Sequence, residues 1–143
     1  ETEAALIGIE KYNLPIWVSF VLEDENNLLS SDSIVDALRM LQNYSVECAL
    51  FNCNPLSRTI VAVDNIVDNW NGKWGVYPNL GLGEPSPDGN IFHFEEINYF
   101  ISTMEKIIEK SPFILGACCG SSPYHIAELN KLRNKCRLAT DIL

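Results

Sequence analysis

The sequence predicts an α/β domain in which four parallel strands alternate with helices. Short runs rich in β-branched and aromatic residues recur along the chain, and longer stretches with apolar residues at helical spacing separate them. The strand-like runs lack strict polar alternation, which is expected when both faces of a sheet are covered. Strands that alternate with long helices run parallel, because each crossover returns over a face of the sheet.

Four segments have the composition of buried strands, and five have helical periodicity. The strands are predicted at 15–22, 46–52, 74–79 and 113–119. The helices are predicted at 2–12, 34–41, 59–67, 94–110 and 123–136. The chain is therefore a helix followed by four βα units.

Capping and turn residues predict where these elements begin and end. The first helix ends before Pro15, and Ser31 or Asp32 is the expected N-cap of the second. Residues 80–90 contain Gly, Pro, Asp and Asn at high density, which predicts a loop. Pro123 suits the first turn of the last helix, because its missing N–H would have had no partner there.

Length, charge and hydropathy limit the classes of function. The 143 residues predict a single region, 1–143, and the 47% hydrophobic content is enough for a packed core. The formal net charge of −9 argues against nucleic acid or an anionic membrane as partner, since Lys and Arg bind both. Neither a membrane-spanning apolar run nor a signal peptide is seen, so we expect a cytoplasmic location.

Three of the five cysteines lie at strand ends. An odd number of cysteines in such a chain favours metal or redox chemistry over a disulfide scaffold. Cys53 follows the second strand, and Cys118 and Cys119 end the fourth, so all three are expected at one edge of the sheet. Three thiolates on this edge predict a zinc site, because a catalytic zinc typically keeps three protein ligands and one open position.

Other interpretations of these residues stay open. A buried free cysteine commonly acts as a small hydrophobic residue, and we favour this role for Cys48 and Cys136. Cys118 and Cys119 would form only a strained disulfide, and C-x-x-C spacing is absent, which disfavours a redox thiol protein. We expect a structural role for His125, because three thiolates and a substrate already fill a tetrahedron.

Four short segments resemble the homocysteine S-methyltransferase family. The segment "GACCGSSPYHI" at 116–126 resembles the family signature Gly-Gly-Cys-Cys-Gly-Thr-Thr-Pro-x-His-Ile. The segment "FNCNP" at 51–55 resembles the family's Asn-Cys segment, and "VYPNLG" at 76–81 resembles its Tyr-Pro-Asn segment. The opening Glu1-Thr2 resembles the Glu-Thr pair that closes the fourth strand of the family's barrel. All four occur in the family's order, over nearly the whole chain.

The resemblance implies a zinc-binding (β/α)₈ barrel. The implied zinc ligands are Cys53, Cys118 and Cys119. Glu1 is implied to bind the amino group of homocysteine, with Asn52 and Asn79 near the site. A complete barrel has eight βα units in about 250 residues, so the chain is implied to be the C-terminal half and to require an N-terminal half.

The resemblance also implies a reaction, in which a sulfonium donor methylates the thiol of homocysteine and methionine forms. The segments "PIWVSF" and "VYPNLG" favour S-methylmethionine or S-adenosylmethionine as the donor. A betaine-dependent enzyme is one alternative, and a non-catalytic or degenerate half-barrel that binds zinc or carries free thiols is another. The half-barrel alone is expected to be inactive.

Overall fold

The computed structural model describes residues 1–82, 88 and 93–140, with side chains up to residue 135. The helices are α1 (Thr2–Ile9), α2 (Ile34–Leu41), α3 (Leu56–Asn69), α4 (Ile97–Ile108) and α5 (Pro123–Thr140). The strands are β1 (Ile16–Phe20), β2 (Val46–Pro55), β3 (Lys73–Asn79) and β4 (Ile114–Leu115). A short 3₁₀ turn, Glu10–Tyr12, follows α1. None of the described helices combines the length and the hydrophobicity needed to cross a membrane.

The four strands form one parallel sheet in the order β1-β2-β3-β4. Each strand therefore lies beside the strand that follows it in the chain. This sequential order is that of a (β/α)₈ barrel, whereas a doubly wound sheet reverses its strand order at a switch point. The predicted fold class, four parallel βα units preceded by a helix, is confirmed.

One face of the sheet packs against the helices and forms the core. Phe51 and Val76 are fully buried on this face, and Phe20 at the end of β1 is nearly so. Buried helix residues complete the same cluster, among them Leu6, Leu38, Ile66, Phe100 and Met104. Burying one such side chain stabilises the fold by about 1.5–3 kcal/mol, so this layer supplies most of the stabilisation.

The opposite face, which we call the inner face, carries polar and aromatic residues. Strand alternation and register place Trp17, Ser19, Asn52 and Tyr77 on it. Trp17 is 53% exposed, although a tryptophan in the middle of a strand is normally covered. In a closed barrel this face is filled by side chains from all eight strands.

Two helix starts differ from the predicted ones. The N-cap of α2 is Ser33, whose side chain accepts a hydrogen bond from the Asp36 amide at 3.3 Å, rather than Ser31 or Asp32. Helix α3 begins at Leu56 instead of near Thr59. Pro55 occupies its N-cap position with extended backbone, so the helix starts at the next residue.

The fourth strand is shorter than predicted, Ile114–Leu115 instead of 113–119. The segment after it stays beside β3, since the amide of Cys118 donates to the carbonyl of Pro78 at 2.7 Å. Pro78 has no N–H to donate in return, so a regular ladder cannot continue. Most of the predicted loop at 80–90, and the side chain of Cys136, lie outside the described residues.

Gly75 is required by the close pairing of β3 with β4. A Cβ at this position would lie 2.4 Å from the carbonyl oxygen of Ile114. We predict that Gly75→Ala lowers the free energy of unfolding by about 1–3 kcal/mol, because the backbone of β4 must shift. Urea denaturation of the purified chain measures this change.

Gly8→Ala is the matched control for this prediction. A Cβ at Gly8 in α1 meets nothing within 4 Å, so the change is expected to be neutral or to stabilise by about 0.5–1 kcal/mol. Equal unfolding midpoints for the two variants would contradict the assigned strand packing.

Candidate metal centre

The structure brings Cys53, Cys118 and Cys119 together at one end of the sheet. The Sγ atom of Cys119 lies 3.6 Å from that of Cys53 and 3.8 Å from that of Cys118. All three sulfur atoms lie within 4.8 Å of one another. The predicted clustering of these cysteines is therefore observed, even though Cys53 and Cys118 end strands that are separated by β3.

The spacing of the sulfur atoms fits a tetrahedral metal ion. With Zn–S bonds near 2.3 Å, two sulfur ligands of a tetrahedron are about 3.8 Å apart. Cys53 and Cys118 are half-buried and Cys119 is exposed, so the cluster is open on one side to a further ligand. Sulfur is also the donor that zinc favours over harder cations.

The electrostatics of the cluster also fit a cation. Burial, and then the neighbouring thiols of Cys118 and Cys119, raise the pKa of Cys53 to about 12. Burial removes the charged form of Cys53 from water, and hydrogen bonds with the two neighbouring sulfur atoms favour its protonated form. A divalent cation reverses this balance, because it attracts each thiolate and deprotonates a coordinating thiol.

A β-bulge places Cys53 at this end of the sheet. Asn52 pairs with Tyr77 and Pro55 pairs with Asn79, so two residues of β2 face only Pro78 of β3. Cys53 has a φ of 55°, in the left-handed region that residues other than glycine rarely adopt. Such bulges re-aim a side chain locally without disturbing the rest of the strand.

A tight turn holds Cys118 and Cys119 against the end of β3. The amide of Leu80 donates to the carbonyl of Cys119 at 2.9 Å, and the hydroxyl of Ser121 donates to the carbonyl of Cys118 at 2.7 Å. Gly120 has a φ of 78°, and a Cβ there would lie 2.6 Å from the ring of Phe94. Glycine at this position is therefore required for the turn.

Asn52, which precedes the bulged cysteine, belongs to a hydrogen-bond chain across three strands. The hydroxyl of Tyr77 donates to Ser19 Oγ at 2.8 Å, and Ser19 Oγ donates to Asn52 Oδ1 at 2.6 Å. Sequence reasoning assigned no role to Ser19 or Tyr77. The sequence does show both as polar residues close to the ends of predicted strands. Which of them hydrogen-bond to each other depends on the register of the strands, which the sequence does not reveal.

Asn54, which follows Cys53, is held by a separate hydrogen bond. Its side chain is almost fully buried, and its Oδ1 accepts a hydrogen bond from the amide of Leu22 at 2.7 Å. Among the described residues, its Nδ2 is a buried donor without a partner. Leaving such a donor unpaired costs about 1–3 kcal/mol, so the placement of Asn54 has an energetic cost.

The remaining predicted site residues lie near strand ends. Glu1 is exposed and lines a cavity of about 690 Å³ that Ser19 and Phe20 at the end of β1 also line. Asn79 ends β3, and its Oδ1 accepts a hydrogen bond from the amide of Gly81 at 2.7 Å. The substrate-binding roles of Glu1, Asn52 and Asn79 stay predictions.

Cys48 and His125 take structural positions, as predicted. Cys48 is fully buried within β2, and this burial raises the pKa of its thiol. The Nδ1 atom of His125 accepts a hydrogen bond from the Ser122 amide at 3.1 Å. The ring of His125 also packs edge-on against Phe100, with centroids 5.2 Å apart. The histidine therefore fixes the start of α5.

Sequence comparison finds relatives of one kind. The profile of the homocysteine S-methyltransferase family matches residues 1–133. Homocysteine S-methyltransferase 2 of Arabidopsis thaliana is 27% identical over an alignment of 127 residues, which covers 82% of this chain and 36% of that protein. Homocysteine S-methyltransferase 1 of Zea mays is 26% identical over an alignment of 131 residues, which covers 89% of this chain and 40% of that protein.

Structure comparison finds the same fold in the homocysteine methyltransferase MmuM of Escherichia coli. Its oxidized form matches with a TM-score of 0.74 and its metallated form with 0.73, both at 23% identity. Each match covers 90% of this chain and 40% of the other. The chain thus spans less than half the length of the relatives that it matches, and its four βα units have the fold of part of their barrel.

The family profile extends from the first residue to the middle of α5 and includes all three clustered cysteines. The matched relatives align over most of this chain. The chain belongs to the homocysteine S-methyltransferase family.

Proposed function

We propose that this chain forms the zinc-binding part of an enzyme that transfers a methyl group from a sulfonium donor to homocysteine. The observation that carries the proposal is the cluster of Cys53, Cys118 and Cys119 in a chain of this family. The proposed product is methionine, and the proposed location of the enzyme is the cytoplasm. The four βα units supply the metal ligands, and the rest of the barrel completes the substrate pocket.

The three cysteines would hold the zinc ion and leave one position for the substrate. When bound, zinc would supply a coordination position at which the homocysteine thiol is held as a thiolate at neutral pH. The substrate sulfur then forms a bond to the donor methyl carbon while the bond from that carbon to the donor sulfur breaks. The donor leaves as a neutral thioether, so no further group is needed for charge balance.

The charge of the site favours a cationic donor. Three thiolates outnumber the two positive charges of Zn²⁺, so the centre attracts a sulfonium. Betaine also carries a positive charge, on its nitrogen, so a betaine-dependent enzyme is the second candidate. Assays with each donor separate betaine from a sulfonium.

Glu1, Asn52 and Asn79 are the proposed substrate-binding residues. The Glu1 carboxylate lines the cavity at the end of β1, where it would pair with the ammonium group of homocysteine. Asn52 lies on the inner face directly before the proposed ligand Cys53. Asn79 is the last residue of β3 and precedes Leu80, whose amide donates to the carbonyl of Cys119. Asn52 and Asn79 lie toward the carboxyl ends of β2 and β3, the end of the strands at which parallel barrels bind their substrates.

The chain is proposed to require an N-terminal half for activity. At about 25 cal/mol per Å², exposing even a few hundred Å² of the aromatic and other apolar surface of the inner face costs several kcal/mol, which rivals the stability of a whole domain. Positioning of two substrates depends on that face being filled. A non-catalytic half-barrel that only binds metal is the alternative if no N-terminal half restores turnover.

We predict that the 143-residue chain alone does not methylate homocysteine. A joined protein, in which the N-terminal portion of the Zea mays relative precedes this chain, is expected to form methionine. The measurement is methionine formation with zinc and with S-methylmethionine, S-adenosylmethionine or betaine in separate assays. Robust turnover by the chain alone would contradict the half-barrel requirement, and turnover with betaine only would overturn the sulfonium donor.

We also predict that Cys118→Ser abolishes zinc binding and turnover in the joined protein, because a hydroxyl is a much poorer ligand for zinc than a thiolate. Cys48→Ser is the matched control, since Cys48 is buried within β2 and outside the cluster. Bound zinc is measured per chain by atomic emission after gel filtration, with circular dichroism as the check of folding. Equal loss of zinc in both variants would refute the ligand assignment.

A further inference from the structure

The conformation of Cys53 decides whether the three thiols can meet. In a regular strand, side chains alternate between faces, so the residue after Asn52 would point to the helix side, as Phe51 does. At the bulge, the backbone of Cys53 instead has a positive φ, and its sulfur lies 3.6 Å from that of Cys119. Straightening of β2 would therefore turn this sulfur away from its partners.

This conformation needs support from its surroundings. A φ of 55° is unfavourable for a cysteine, because Cβ crowds the backbone in the left-handed region. Backbone strain of this kind persists only where neighbouring contacts hold it in place. The contacts that hold Cys53 are made by the residues on either side of it.

The first anchor fixes the residue before Cys53. Asn52 Oδ1 accepts from Ser19, and Ser19 accepts from Tyr77, so the side chain of Asn52 is tied to both neighbouring strands. Ser19 is exposed and Tyr77 is half-buried on the inner face. Removing either hydroxyl therefore leaves the hydrophobic core on the other face intact.

The second anchor fixes the residue after Cys53. Asn54 Oδ1 accepts from the amide of Leu22, beyond the end of β1. Asn54 is only 1% exposed, and among the described residues its Nδ2 is unpaired. Its one side-chain hydrogen bond among the described residues therefore joins the residue after Cys53 to the segment that follows β1.

We propose that Ser19, Tyr77 and Asn54 are positioning residues that hold Cys53 in the bulged, metal-binding conformation. The proposal rests on the proposed zinc centre and adds to it residues that touch no metal. They act by keeping the thiol preorganised, so that metal binding does not have to bend the strand. Loss of residues that orient metal ligands typically weakens metal binding by about 10–100-fold.

The first test removes the hydroxyl groups of the Asn52 anchor. Tyr77→Phe and Ser19→Ala, in the joined protein and in the chain itself, are expected to weaken Co²⁺ binding at least tenfold. Affinity is measured by competition with a chelator, and the intensity of the thiolate-to-cobalt absorption bands reports whether three sulfurs still bind. Ser19→Thr retains the hydroxyl and is expected to restore both the affinity and the bands.

Tyr44→Phe is the matched control for the hydroxyl variants. The hydroxyl of Tyr44 donates to the Glu3 carboxylate at 3.0 Å, outside the cysteine cluster. Its removal is expected to leave the Co²⁺ affinity and spectrum unchanged. An equal loss of affinity in Tyr44→Phe and Tyr77→Phe would overturn the positioning role, since it would indicate a general loss of stability.

The second test removes the other anchor. Asn54→Ala is expected to weaken Co²⁺ binding at least tenfold, while Asn65→Ala, which loses a hydrogen bond to the Glu25 carbonyl, is expected to have no effect. Urea denaturation of the metal-free forms measures stability separately. The role of Asn54 would be overturned if Asn54→Ala lost no more free energy of Co²⁺ binding than it lost free energy of unfolding in the metal-free form.

The outcomes separate this proposal from the proposed function. If the wild-type protein binds Co²⁺ through three sulfurs and all the anchor variants bind it equally well, the positioning role is wrong and the metal centre stands. If the wild-type protein binds neither Co²⁺ nor Zn²⁺, the metal centre itself is wrong, and the positioning role is refuted with it.

Discussion

The pairing of β2 with β3 is the constraint on which the proposed metal centre depends. In its register Asn52 pairs with Tyr77, and the extra residue that follows in β2 places Cys53 at the end of the sheet where the three cysteines meet. The positions of Cys118 and Cys119 depend on β3 as well, because the Cys118 amide donates to the carbonyl of Pro78 in that strand. The end of β3 is therefore the common reference for all three sulfurs, although β3 itself contributes none of them.

Pro78 has no N–H, so β3 cannot donate a backbone hydrogen bond to the fourth strand at this position. A residue that could donate would extend the ladder between β3 and the fourth strand, and a regular strand would alternate the side chains of Cys118 and Cys119 between two faces. Because the regular strand ends at Leu115, the chain can turn at Gly120 and both cysteines can lie near Cys53. The irregularity at each strand end is thus what makes a three-sulfur site geometrically possible.

The sequence was informative wherever local chemistry decides the outcome. Hydrophobic periodicity predicted the order of elements, and the rule for parallel strands predicted that cysteines at two strand ends would converge. Ser33 was missed as a helix cap because Ser31, Asp32 and Ser33 can all cap a helix, and only the tertiary position of α2 selects among them. The bulge at Cys53 was missed for a similar reason, since no local residue pattern encodes a register shift between two strands.

The two faces of the sheet divide the roles of the chain. The helix-side face is filled by residues of this chain, whereas the inner face leaves Trp17 half exposed. The three clustered cysteines lie where the ends of β2, β3 and the fourth strand meet, and each is held by backbone or side-chain contacts made within the four βα units. The shape of a substrate pocket above an inner face depends on every strand that closes the barrel. The geometry of the thiols is therefore a property of this chain, while the selection of substrate is a property of the complete barrel.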